Sequence, residues 1–377
     1  MFRKNKEMLK GYIEGYYGRF FSEQDRCKVL DHMGKLNMDF YLYGPKEDSF
    51  HRVNWEKPYP DSEIKTLKSF IRDSKKNSVR PVFALSPGMN ITKFSNKYIQ
   101  SLTKKILQAK KIGFKDFAIL FDDIDQARNA ELAETHLKII QHVSSIKNIN
   151  KNPLMICPTV YCKSFARGEI KDNEYLQVLA ANIDPNINIL WTGDEVVSKS
   201  ISLKNLKDLK SLFKNPIIIW DNFYANDYCP TRFFIGPYKG RASLDKVVEG
   251  IGINPTGMPI TDSICLERFA ISKTDQQIID IYDIPESFKF ILPYFLDPFK
   301  KHQTLTAKTI DKLLLTQNEL CIEWKSELQL EWAPYLWNFY LDLILLKKIN
   351  DGQSEFSLEE WLKRRYSDPL TRTILRK

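Results

Sequence analysis

The 377 residues are 43% hydrophobic and 12% aromatic, which suits a large globular core and excludes a disordered chain. The formal charge of +9 is spread along the chain, 56 Lys and Arg among 47 Asp and Glu, so it reads as a solvated surface and no nucleic-acid partner is expected. Cys27, Cys157, Cys162, Cys229, Cys265 and Cys321 lack paired metal spacing and the histidines show no ligand pattern, so neither a metal nor a cofactor is expected and the thiols read as reduced.

The first ten residues are charged and lack the apolar stretch of a secretory signal, and no run is long and apolar enough to span a bilayer. The expectation is a cytoplasmic protein with no membrane partner. Eight apolar runs follow, at Leu9 to Tyr17, Asp39 to Tyr43, Arg80 to Leu85, Asp116 to Phe121, Leu154 to Pro158, Ile187 to Trp191, Ile217 to Trp220 and Gly250 to Ile253. Turn residues close most of them, and helical spacing such as Ile64, Leu67, Ile71 or Leu132, Leu137, Ile140 fills the intervals. This alternation predicts an α/β fold, a (β/α)8 barrel of the TIM type followed by a C-terminal helical region. A doubly wound sheet would want a glycine-rich phosphate turn after the first strand, and Glu14-Gly15-Tyr16-Tyr17-Gly18 is too short and too aromatic for one.

The pattern changes near residue 285, giving expected domains of 1–284 and 285–377. Trp324, Leu328, Trp332, Leu336, Phe339, Leu343 and Leu346 recur at helical intervals, Pro334 is expected to kink or restart that helix, and Ser357 with Glu360 makes a capping box for a last helix carrying Trp361. The stripe reads as a helical cap, or in part as a homodimer interface or one wall of a cleft.

Chemistry gathers at the predicted strand ends, where a barrel places its active site. The run Ala-Ile-Leu-Phe-Asp-Asp-Ile-Asp at 118–125 opens from an apolar strand into Asp122, Asp123 and Asp125. Strand alternation puts Asp123 and Asp125 on one face, so Asp122 and Asp123 serve one pocket only if the strand is already turning. Two carboxyls held so close are expected to differ in protonation, which supplies one acid and one base. Lys46 emerges through a Gly-Pro turn beside acids and could hold a carboxylate ionised or donate to hydroxyls. Tyr161 presents a phenol at a strand end, and the 220–228 loop mixes an indole, amides and carboxylates suited to polyhydroxylated ligands.

Taken in order, Gly-Tyr-Ile-Glu-Gly-Tyr-Tyr-Gly-Arg (11–19), Tyr-Leu-Tyr-Gly-Pro-Lys-Glu-Asp (41–48), Leu-Phe-Asp-Asp-Ile-Asp (120–125), Cys-Pro-Thr-Val-Tyr-Cys (157–162), Trp-Thr-Gly (191–193), Trp-Asp-Asn-x-x-Ala-Asn-Asp-Tyr (220–228) and Gly-Pro-Tyr-Lys-Gly-Arg (236–241) give a chain that resembles glycoside hydrolase family 84, the O-GlcNAcases and related β-N-acetylglucosaminidases, over about residues 8–260. The resemblance implies that Asp122 orients and polarises the substrate's 2-acetamido N–H and that Asp123 is the general acid and base. It implies that Tyr161 and Trp220 lie at the acetamido pocket, and that Gly15, Lys46, Asn222, Asp227 and Asn254 contact the sugar. Val160 stands where the animal enzymes often carry an acid, and Phe20-Phe21 replaces a Pro-Trp pair, departures that bear on the aglycone. The motif lacks the glutamate that ends that of the family 18 chitinases.

The expected function is a retaining exo-β-N-acetylglucosaminidase working through an oxazoline, with GlcNAc-bearing proteins or glycans as substrate. A glycan- or hyaluronan-degrading hexosaminidase and a catalytically silent GlcNAc-binding protein are the alternatives.

Overall fold

The computed structural model describes residues 7–88, 94–147, 149, 151–300 and 305–352. Eight parallel strands, β1 Leu9–Glu14, β2 Phe40–Tyr43, β3 Arg80–Leu85, β4 Asp116–Leu120, β5 Met155–Cys157, β6 Asn188–Trp191, β7 Ile217–Asp221 and β8 Gly250–Ile253, pair in sequence order, and β8 pairs back onto β1. The sheet is therefore closed, which is the predicted (β/α)8 barrel and rules out the open doubly wound sheet. Helices α1 Glu23–Lys35, α2 Asp61–Lys76, α3 Asn96–Ile112, α4 Ala130–Ser145, α5 Glu174–Asn182 and α6 Leu203–Leu212 alternate with the first seven strands.

Local sequence explains these boundaries. Ser22, Ser95, Asn129, Asn173 and Ser202 each cap a helix by accepting a backbone N–H of its first turn. Gly113 ends α3 at φ 130, a conformation that side chains other than glycine's resist. Inside the barrel, Ile13, Phe40, Leu42, Val82, Ala84, Ala118, Leu120, Met155, Leu190 and Ile218 form a buried core. The glycine of β8 at 252 is required by this packing, because a Cβ there would lie 2.8 Å from Ile13 Cδ1 and 3.2 Å from Phe40 Cζ.

Compactness divides the chain into two units, one holding residues up to Phe223 with Lys239–Gly257 and the other holding Tyr224–Tyr238 with the chain from Met258. This division differs from a boundary at 284/285. The second unit contains α7 Pro259–Ile271, α8 Asp275–Ile281, α9 Ala307–Asn318 and α10 Glu327–Asn350. The reason α7 belongs there is visible at its N-terminus, where Glu331 of α10 accepts from Ile260 N at 2.8 Å and Thr261 N at 2.9 Å and so satisfies amides that have no partner within the helix.

Two tail expectations change. Helix α10 runs through Pro334 without restarting, and Trp324 lies before the helix, its Nε1 donating to Asp283 O at 3.1 Å; the N-cap is Ser326. Ser357, Glu360 and Trp361 lie outside the described residues. The centre of this unit is Trp332, fully buried, stacked on Phe233 at 4.7 Å and Phe288 at 5.0 Å and donating from Nε1 to Thr261 Oγ1 at 2.9 Å. Trp332→Ala removes the ring and one of the two hydrogen bonds of that hydroxyl, which keeps its bond to Glu331 Oε2 at 2.8 Å, so it is expected to cost about 3–5 kcal/mol, measurable by denaturant unfolding; a change below about 1 kcal/mol would contradict this packing role. Among the described residues no helix is long and apolar enough to cross a membrane.

Candidate active site

Strand β4 stops at Leu120, and Asp123 adopts the left-handed region at φ 52. The chain is thus already turning when it reaches the paired acids, which meets the condition for both to serve one pocket. Asp122 is buried while Asp123 is exposed.

The two carboxylates have different partners. Lys46, delivered by the Gly44-Pro45 turn after β2, pairs through Nζ with Asp122 Oδ2, and both side chains are buried. The other oxygen, Asp122 Oδ1, is buried with no hydrogen-bond partner. Such an atom is costly to leave unpaired, so it marks where a donor from outside the chain would gain most. Asp123 instead accepts from two phenols, Tyr161 OH on Oδ1 and Tyr17 OH on Oδ2, each at 2.7 Å. Burial first, then the Asp123 charge, pushes both phenols well above their ordinary range, so they remain protonated donors.

On the far side of Lys46 lies the Trp220 indole, whose centroid is 5.7 Å from Nζ. Its Nε1 donates to Asn222 Oδ1 at 3.0 Å, Asn254 Nδ2 donates to the same oxygen at 2.9 Å, and Gly15 N donates to Asn254 Oδ1 at 3.1 Å. This chain of amides ties the ends of β1, β7 and β8 together. Gly15 is obligatory in it, because a Cβ there would overlap the face of Trp220. Gly15, Lys46, Asp122, Asp123, Tyr161, Trp220, Asn222 and Asn254 are thus joined by contacts at one end of the barrel. Asp227 lies in the second unit, where its Oδ1 accepts from Tyr228 N at 2.9 Å.

Other acids at strand ends have structural partners. Glu14 takes Arg26 through two bonds at 2.9 and 2.7 Å and the Tyr41 phenol at 2.7 Å. Asp221 takes Arg241 at 2.7 and 2.6 Å. Behind the acids, His136 stacks on Phe121 at 3.8 Å and bonds Tyr175 OH at 2.8 Å, and that phenol oxygen accepts from Thr159 N at 3.1 Å. Burial lowers His136 to about 3, so it is a neutral brace between the loops after β4 and β5. Tyr17 and Arg52 are absent from the sequence-derived set. The signal for Tyr17 was available, since the argument that singled out a phenol at a strand end for Tyr161 applies equally to the Gly-Tyr-Tyr-Gly turn.

Adjacent carboxylates at the strand ends of a closed parallel barrel, one shielded on a lysine and one open beneath two phenols, are the equipment of a barrel glycoside hydrolase. Comparison with known proteins narrows that class. A family model for beta-N-acetylglucosaminidase matches residues 10–303, and the chain belongs to that family, glycoside hydrolase family 84, as its ordered motifs predict. It is 34% identical over 257 residues to Protein O-GlcNAcase of Rattus norvegicus and to that of Mus musculus, covering 66% of this chain and 28% of each relative. The chain therefore spans 28% of the length of these relatives. The solved structure of CpGH84B matches with a TM-score of 0.73 at 22% identity, covering 98% of this chain and 73% of that one, and supports the fold.

Proposed function

We propose that the protein is a retaining exo-β-N-acetylglucosaminidase in which the substrate's own 2-acetamido group is the nucleophile. The observation that carries this reading is the unpartnered, buried Oδ1 of Asp122. With Lys46 held on Oδ2, Oδ1 accepts the acetamido N–H and turns the amide oxygen toward the anomeric carbon. Bond formation by that oxygen expels the aglycone, whose oxygen takes a proton from Asp123. The N–H proton passes to Asp122 as the ring closes, and the resulting oxazoline is opened by a water that gives its proton to Asp123 while Asp122 returns the proton to nitrogen, so the sugar leaves with its original β-configuration. Tyr17 and Tyr161 hold the Asp123 carboxyl in one orientation through both turnovers of its proton, and Trp220 walls the acetamido pocket against the Gly15, Asn222 and Asn254 network. Asp227 is assigned to the sugar hydroxyls from the family motif.

The substrate proposed is GlcNAc on Ser or Thr of proteins, supported by the identity to two proteins named Protein O-GlcNAcase. NMR of the first-formed sugar is expected to show the β-anomer, and a 2-hydroxy analogue is expected to be nearly inert because it lacks the internal nucleophile. An α-anomer as first product would sink the mechanism. Release of GlcNAc from a glycosylated serine peptide, measured against a GlcNAc-containing polysaccharide, tests the substrate class, and a preference for the polysaccharide would overturn it.

A further inference from the structure

Arg52, in the loop after β2, is half-buried, and among the described residues no carboxylate pairs with its guanidinium. Its contacts converge on the neighbouring acid from two directions. The guanidinium lies over the Tyr17 ring at 5.1 Å, and Tyr17 is the phenol that donates to Asp123 Oδ2 at 2.7 Å. Its Nη2 also donates to the backbone oxygen of Asp123 at 3.4 Å. Asp123 is in the left-handed region at φ 52, a conformation that a non-glycine residue keeps only when its surroundings determine it. One cation therefore touches both the strained peptide and a hydrogen-bond donor of the same carboxyl. A guanidinium suits this arrangement, because its flat face stacks on an aromatic ring while its edge donates.

We propose that Arg52 is a positioning residue for the general acid: it sets the Asp123 peptide and the Tyr17 ring so that the carboxyl proton points at the departing oxygen. The inference rests on Asp123 being that acid. It implies that Arg52 matters in proportion to how much proton assistance the leaving group needs, a pattern that a purely structural role does not produce.

The test is the dependence of kcat/KM on leaving-group acidity, from dinitrophenyl β-GlcNAc through methoxyphenyl β-GlcNAc to a GlcNAc-serine peptide, in wild type, Arg52→Ala, Arg52→Lys and Asp123→Ala. Thermal unfolding confirms that each variant is folded. Arg52→Ala is expected to lose roughly 10- to 100-fold with the peptide and less than about 3-fold with the dinitrophenol, a fraction of the full general-acid contribution. Arg52→Lys, which keeps a cation over Tyr17 but loses the planar fork, is expected to fall between Arg52→Ala and wild type, and it carries the test should the alanine variant not fold. Equal losses across the series, or none, beside a steep dependence in Asp123→Ala overturn the positioning role alone. A flat dependence in Asp123→Ala overturns the assignment of the acid and the Arg52 inference with it.

Discussion

Asp122→Asn is expected to lower kcat/KM by about 1000-fold, and by nearly the same factor for every leaving group. The reason lies in the number of acceptor atoms. Asp122 offers one oxygen to Lys46 and one unpartnered buried oxygen to the pocket, whereas asparagine has a single oxygen and an NH2. Whichever way the amide turns, one donor, either the lysine ammonium or the proposed acetamido N–H, faces another donor. The charge that makes the acetamido oxygen more nucleophilic is lost as well. Since ring closure accompanies the departure of every aglycone, a better leaving group does not replace the lost activation of the nucleophile, and the loss falls mainly on kcat. Steady-state kinetics across a series of aryl β-GlcNAc substrates checks this. A loss confined to poor leaving groups would mean that Asp122, and not Asp123, manages the leaving oxygen.

The barrel was legible because its strands are buried on both faces and so appear as continuous apolar runs. β3 and β8 coincide with their sequence-derived bounds, while β1 ends at Glu14, short of Tyr17. Tyr16 and Tyr17 look like strand residues by composition, but the backbone leaves the sheet after Glu14 to bring Tyr17 OH to Asp123. The tail was less legible. Hydrophobic periodicity marks which side chains are buried and not where a helix begins, so Trp324 continued the stripe although it is a buried residue before the N-cap. Pro334 falls in the eighth position of α10, flanked by the buried Trp332, Tyr335 and Leu336, and the helix does not restart there.

At the site, the sequence pointed to the acids, the lysine, the indole and the amides, because each is a polar group at the end of an apolar strand. It could not separate acids that act from acids that hold the barrel together. Glu14 and Asp221 satisfy the same positional rule as Asp122, yet each is neutralised by an arginine far away in sequence, Arg26 or Arg241. Of these three strand-end acids, Asp122 is the one with a buried carboxylate oxygen that has no hydrogen-bond partner, and its neighbour Asp123 is exposed. Arg52 was invisible for a related reason: its partners are a ring and a backbone oxygen from two other loops, which no spacing rule connects.

Asp123→Ala is expected to lose about 100- to 10,000-fold with a serine alkoxide as leaving group, the range of general acid catalysis, and less than about 10-fold with a dinitrophenol that departs without a proton. The two phenols on this carboxyl, Tyr17 and Tyr161, are raised above the ordinary phenol range by burial before any contribution from Asp123, so they stay protonated and neither takes over as base when the carboxyl is gone. With the activated substrate the oxazoline therefore forms and then waits for water, and its opening becomes rate-limiting. Azide, already anionic, needs no base and is expected to restore turnover with that substrate, giving the β-glycosyl azide because it enters on the face the aglycone left. The same salt is expected to do nothing for Asp122→Asn, whose defect precedes the oxazoline. Azide rescue confined to Asp122→Asn, or a loss for Asp123→Ala that is the same with serine peptide and dinitrophenol, would falsify the division of roles and exchange the two acids.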